Sequence, residues 1–214
     1  SRKRSPRDCN ANPRHNIRRL TLMDIREFFF KYRSYTPIPI GVMIVYFARP
    51  EALYVYTGAA LLFIGETIRI WSVSYAGGET RTRNVGAKKL CSAGPYAFVR
   101  NPLYAGNMFM YVGIVFIAGA ANIWLMLATT LAFFIVQYSL IIALEEEKLE
   151  ELFGQEYQIY KKNVPAILPR IVRWKNSDNR PPKGIIKSLR TEKRTIQNVF
   201  FILLLIALRT QVFL

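Results

Sequence analysis

Apolar residues gather into five runs along the chain: Pro37–Ala48, Ala52–Ala76, Leu103–Ala121, Ile123–Leu144 and Val199–Leu208. At about 1.5 Å rise per residue, the second, third and fourth are long enough to cross a hydrocarbon layer of about 30 Å as helices. The first has twelve residues and contains Pro39, so it spans only if Tyr32–Thr36 extend it or the bilayer thins there. The pattern predicts an all-α, multi-pass transmembrane bundle. It consists of two helical hairpins and a fifth helix over Asn198–Leu214, with a polar cap at one end. That fifth helix either crosses the membrane or lies along its surface, because Ile185–Gln197 mixes apolar and basic residues as surface helices do.

Charge fixes the orientation. The 214 residues carry 30 Lys and Arg against 14 Asp and Glu. In a chain with amphipathic elements, that excess would point to nucleic acid. Here the basic residues sit in blocks between the apolar runs: ten in Ser1–Thr36, five in Gly77–Pro102 and twelve in Glu145–Asn198. The turns around Arg49 and Asn122 hold one. By the positive-inside rule the three basic blocks are cytoplasmic, the partner surface is a membrane with anionic headgroups, and nucleic acid is not expected. The chain divides into a basic arm (1–35), a membrane core (36–174), a turn-rich linker (175–184, KNSDNRPPKG) and an interfacial and membrane helix (185–214).

The arm over Ser1–Arg19 is rich in Arg, Asn and Pro and lacks the apolar core of a signal peptide. Cys9 and Cys91 both fall on the cytoplasmic side, where thiols stay reduced. His15 is the only histidine, which leaves no His-based acid–base pair and no metal-ligand spacing. There is no Walker loop and no GxGxxG after a strand.

Two polar blocks flank the hairpin formed by the third and fourth runs. In the first, GPYAFVRNPLYAGN over Gly94–Asn107, Gly94 and Pro95 force a turn. Pro102 suits the first turn of a helix, and Asn101 suits its N-cap, with a side chain able to satisfy a free amide. In the second, Glu145, Glu146 and Glu147 end the fourth helix with an acidic run that opposes the helix dipole. Leu149 and Phe153 then repeat at helical spacing, Gly154 stops the helix, and Tyr157 and Tyr160 precede the stops at Pro165 and Pro169. Two membrane crossings bring both blocks to the same side. Each block also has a purely structural reading, as a capped helix entry and a solvated helix end.

GPYAFVRNPLY, then EExxL, FGxxYxxY and VPxxLP in that order, resemble the catalytic half of the isoprenylcysteine carboxyl methyltransferase family, with the phospholipid methyltransferases as more distant kin. The resemblance runs from about Arg69 to Pro169. It implies an integral membrane methyltransferase that binds S-adenosylmethionine in a cytoplasm-facing pocket and acts on a lipophilic acceptor. Residue by residue, it implies cofactor contacts from Lys88, Lys89, Leu90 and Cys91, from Tyr96, Arg100, Asn101, Pro102, Leu103 and Tyr104, and from Glu145. There are two departures. Asn101 stands where the isoprenylcysteine enzymes have His, as in the phospholipid branch. Ile141 stands where they have a substrate-contacting Arg, so the natural partner for a substrate carboxylate is missing.

Glu66 and Arg69 lie three apart on one helical face within the second apolar run. Each would cost about 2.5–3.5 kcal/mol if exposed to lipid at mid-depth, so both should face the bundle interior, paired with each other or with a ligand. We expect them at the inner end of a substrate cavity beside Trp71. The catalytic candidates are therefore Glu66, Arg69 and Glu146; for an amine acceptor, Glu66 or Glu146 would take the proton. Two other readings stay open: a non-catalytic membrane scaffold, and a sterol-reductase-like oxidoreductase using NADPH.

Overall fold

The computed structural model describes residues 25–77, 89–175 and 178–212. The arm with Cys9 and His15, and the cofactor candidate Lys88, lie outside the described residues. Among the described residues there are seven helices and no strand: α1 (25–31), α2 (Ile38–Tyr46), α3 (Ala52–Ala76), α4 (Pro102–Ala118), α5 (Ile123–Phe153), α6 (Gln155–Asn163) and α7 (Ile185–Val212). A single 3-10 turn, Gly94–Ala97, precedes α4.

α3 and α4 form the tightest pair. Gly58 and Gly65 on α3 meet Gly113 and Gly106 on α4, and a Cβ built on Gly65 would lie 2.6 Å from the Gly106 carbonyl oxygen. Small residues at this seven-residue spacing let two backbones close up where hydrocarbon gives helices no hydrophobic reason to associate. The turns α2–α3 and α4–α5 share one end of the bundle, where the Arg49 amide donates to the Ala118 carbonyl at 2.8 Å. The two hairpins therefore open toward the same opposite end. Phe134, Ile141, Ile44 and Val115 fill the space between helices.

Two helices, α3 and α5, are long and apolar enough to cross a membrane, and α4 is an apolar helix of 17 residues. Only 17% of the apolar window of α3 and 39% of that of α5 are buried, whereas the core helix of a soluble protein would be mostly covered. Leu53, Tyr56 and Phe63 on α3, Ile135 and Val136 on α5, and Phe200 and Phe201 on α7 point outward, an apolar exterior that hydrocarbon can cover.

Four expectations change. Residues 32–37 are turns, so they do not lengthen the first apolar run, and α2 has nine residues, about 13 Å of helix. The glutamate triplet does not end the fourth helix. α5 continues two turns further to Phe153, and Gly154 stops it with φ +51°, a conformation in which glycine avoids the Cβ penalty. The interfacial and C-terminal segments form one unbroken α7 with no boundary at Asn198. Asn101 occupies the N-cap position of α4 but its side chain does not cap, as described below.

Candidate functional site

The two polar blocks meet through their backbones. After α6 the chain returns across the loop that leads into α4. Four amide hydrogen bonds join the segments: Arg100 to Pro165 O at 2.8 Å, Asn101 to Ala166 O at 3.1 Å, Arg170 to Phe98 O at 2.9 Å, and Trp174 to Ala97 O at 3.0 Å. Tyr160 adds a hydroxyl bond to the Tyr96 carbonyl at 2.8 Å. Asn101 turns its side chain to the cover, donating Nδ2 to the Ala166 carbonyl at 3.2 Å, and makes no capping bond to α4. Leu90, Tyr157, Tyr160 and Val164 form a small apolar core beneath this cover, flanked by Trp174.

Toward the C-terminal end of α5, the Tyr104 hydroxyl donates to Glu145 Oε1 at 2.9 Å, and the Tyr104 ring packs on Tyr138 with centroids 4.7 Å apart. Each member of the glutamate triplet has its own arginine. Arg33 approaches Glu145 at 3.8 Å, Arg100 binds Glu146 at 2.7 Å and Arg26 binds Glu147 at 2.9 Å. The acidic run thus gathers α1, the loop before α4 and α5 at one point. Arg100 also donates to the carbonyls of Lys161 and Val164, and Lys161 stands 3.4 Å from the second oxygen of Glu146. The Glu146 carboxylate, nominated as a base, is held between two cations, and Arg100, nominated for the cofactor, is its clamp.

Tyr96 lies within electrostatic reach of Cys91, Glu145, Arg69 and Arg180. Burial, reinforced by Cys91 and Glu145, pushes its phenol far above the usual value. Burial does the same for Tyr160 and Tyr157, next to the Tyr96 hydroxyl and the Glu146 carboxylate respectively. All three are neutral hydrogen-bond donors at any ordinary pH.

Arg69 is buried, and its ionic partner comes from an unexpected place. Its guanidinium binds Glu192 on α7, Nη2 to Oε2 at 2.5 Å and Nε to Oε2 at 3.2 Å. It donates further to Asn107 on α4 at 2.5 Å and to Thr195 at 3.1 Å. Glu192 is only 1% exposed. The Glu66 carboxylate oxygens, one turn of α3 away, are sealed from solvent. Trp71 is exposed and neighbours Phe98 of the loop before α4, ring centroids 6.2 Å apart. It lines a groove between α3 and α7 with Thr67, Ser74, Lys183 and Ser188.

The linker is a strap bound to the site. Asp178 accepts from the Ser92 amide at 2.9 Å and from Arg180 Nε at 2.8 Å, Arg180 also donates to the Leu90 carbonyl, and the Lys183 amide bonds Ser74 O at 2.6 Å. Burial alone would raise the Asp178 pKa, but these donors together hold it below the usual carboxylate value.

Of the candidate residues from the sequence, the structure gathers Tyr96, Arg100, Asn101, Pro102, Tyr104, Glu145 and Glu146 where the loop before α4 meets the C-terminal part of α5. Leu90 and Cys91 adjoin them below the strap, Lys89 is exposed at the edge, and Leu103 is half-buried on the first turn of α4. Glu192, Arg180, Asp178 and Arg33 were not nominated. One signal for Glu192 was present: it is the sole acid within the basic stretch 183–194, and it shares a helical face with Ser188, Thr195, Val199 and Ile202. Among the described residues, no three His, Cys, Asp or Glu side chains gather as a metal site.

Residues 53–156 match the phospholipid methyltransferase family model. The chain is 34% identical over 124 residues to a nickel-cobalt-cadmium resistance protein of Alcaligenes xylosoxydans xylosoxydans, covering 54% of this chain and 53% of that one. It is 29% identical over 125 residues to protein-S-isoprenylcysteine O-methyltransferase of Schizosaccharomyces pombe, covering 56% and 51%. It is also 34% identical over 82 residues to methanethiol S-methyltransferase 1 of Bradyrhizobium diazoefficiens, covering 38% and 25%. The chain spans about half the length of the first two relatives. No solved structure matches it. The resemblance in the motifs is thus upheld: residues 53–156 match the phospholipid methyltransferase model, and over about half its length the chain is similar to isoprenylcysteine methyltransferases.

Proposed function

We propose that this chain is an integral membrane methyltransferase that transfers the methyl group of S-adenosylmethionine to a lipophilic acceptor at the cytoplasmic face, with residues 36–174 as its core. The acceptor classes are a lipid amine and an isoprenoid-linked carboxylate or thiol. The observation that carries the reading is the Tyr104–Glu145 pair at 2.9 Å, inside the segment that matches the family model and just beyond the loop that residues 164–174 cover.

The donor set fits the cofactor. A half-buried carboxylate can accept from ribose hydroxyls or an amino group, and the rings of Tyr96 and Tyr104 offer faces to a cationic sulfonium. When bound, S-adenosylmethionine supplies a methyl group that is already activated, so the protein's task is alignment and exclusion of water, a contribution of about 7–11 kcal/mol. Tyr104 orients Glu145 by its hydrogen bond. Arg100 and Glu146 hold the loop before α4 against the cover, and Arg180 and Asp178 hold the strap against Leu90 and Ser92. For an amine acceptor, Glu66 is the better base candidate, because Arg100 and Lys161 already engage both oxygens of Glu146. Ile141 is fully buried among apolar neighbours, which favours an acceptor without a carboxylate.

Calorimetric titration of the purified chain with S-adenosylmethionine tests this reading. Binding is expected to weaken by about 1.5–3 kcal/mol in Glu145→Gln, the cost of losing a hydrogen bond to a charged group. Absence of binding in the unsubstituted chain would favour the scaffold.

A further inference from the structure

α7 carries a basic face that the proposed chemistry does not use. Lys187, Arg190, Lys193 and Arg194 occupy its first turns and are all exposed. At 100° per residue, Lys187, Arg190 and Arg194 fall within an arc of about 60°, and Lys193 lies about 60° beyond it, beside the apolar strip. The opposite side of the same turns, Ser188, Glu192 and Thr195, is the side that docks on α3. Between these two faces runs an exposed apolar strip, Ile185, Leu189 and Ile196, continued by Phe200.

The height of this face relative to the apolar layer follows from the packing of α3 on α4. Gly65 faces Gly106 and Gly58 faces Gly113, so Pro102, the first residue of α4, stands level with Arg69. The 17 residues of α4 span about 25 Å, and the apolar slab ends where α4 ends. Exposed aromatic residues mark both limits, Tyr46, Phe47 and Trp124 at one and Trp71 at the other. α7 enters beside Ser74 and reaches Arg69 at Glu192. Its four cations therefore lie along one helix near the level of Arg69 and Trp71, at the edge of the slab and not free in water. An exposed apolar strip on the same helix excludes a purely aqueous partner.

We propose that the first half of α7 is a binding collar for anionic phospholipids. In it Lys187, Arg190, Lys193 and Arg194 hold headgroup phosphates while Ile185, Leu189 and Ile196 lie against acyl chains. Trp71 and Lys183 line the adjacent groove, so a lipid held by the collar borders the gap between α3 and α7. The inference rests on the membrane reading and adds a partner to it.

The test uses the full chain with Trp71 as its only tryptophan (Trp124→Phe, Trp174→Phe), reconstituted into vesicles of phosphatidylcholine. Brominated phosphatidylglycerol or brominated phosphatidylcholine is added and Trp71 fluorescence is read. At low salt the anionic lipid is expected to quench at a mole fraction on the order of threefold lower than the zwitterionic one, and the preference should shrink as salt rises. It should vanish in Lys187→Gln/Arg190→Gln/Lys193→Gln/Arg194→Gln, and be reduced in Lys187→Gln/Arg190→Gln alone. Equal quenching by both lipids, or a preference that survives the fourfold substitution, overturns the collar and leaves the membrane reading intact. Quenching by neither lipid overturns both.

Discussion

Replacing Glu192 with Leu removes the carboxylate bound to a guanidinium that is 8% exposed, while its bonds to Asn107 and Thr195 remain. Breaking a buried ion pair from one side costs about 3–5 kcal/mol, because the remaining charge stays buried without compensation. For a chain of this size each kcal/mol moves the unfolding midpoint by about 2–4 °C, so Glu192→Leu should lower it by about 6–20 °C. Arg69→Met/Glu192→Leu removes both charges and fills the space with apolar atoms. It should recover to within about 1–2 kcal/mol of the unsubstituted chain. Thermal unfolding in lipid nanodiscs, followed by circular dichroism, reads both variants. A double variant no more stable than the single one would refute the claim that this pair docks α7. The same variants separate two roles for Arg69. If its guanidinium also lines the acceptor cavity, the double variant stays inactive with cofactor affinity retained; if it only docks α7, turnover returns.

Gly65→Val should destabilise the α3–α4 pair by about 1–3 kcal/mol, since its Cβ would lie 2.6 Å from the Gly106 carbonyl oxygen and backbone cannot yield as a side chain can; chemical denaturation of the reconstituted protein checks this. The folded pKa of Asp178 is below its unfolded value of about 3.9, so its hold on the strap is complete above that pH and is lost as pH falls through the folded value. Hydrogen exchange at the Ser92 amide should therefore accelerate below about pH 4 in the unsubstituted chain. Asp178→Asn should lack that step.

Much of the helical scaffold was legible because membrane segments announce themselves by length and apolarity. The α4 start at Pro102 and the α5 stop at Gly154 followed from local backbone chemistry, Pro at N1 and Gly at positive φ. What was not legible came from distant partners. The glutamate triplet reads from sequence as a solvated helix end or a ligand site, because its partners Arg26, Arg33 and Arg100 lie 46 to 121 residues away. For Arg69 the sequence offers Glu66 or a ligand as partner, because an i, i+3 spacing is visible in sequence, whereas a partner 123 residues on is not. The turn-rich residues 175–184 read as a linker because Pro, Gly and Asn mark irregular backbone, and nothing local reveals that such backbone binds Ser92, Leu90 and Ser74. The close approach of α3 and α4 was carried by glycines whose seven-residue spacing is easily passed over in an apolar run.

The most direct measurement is transfer of a labelled methyl group from S-adenosylmethionine, with the reconstituted chain and a total extract of lipids and prenylated peptides as acceptor. The account predicts label in an organic-soluble product, diminished in Glu145→Gln. Cofactor binding without any labelled lipophilic product, or label only in water-soluble material, would contradict it.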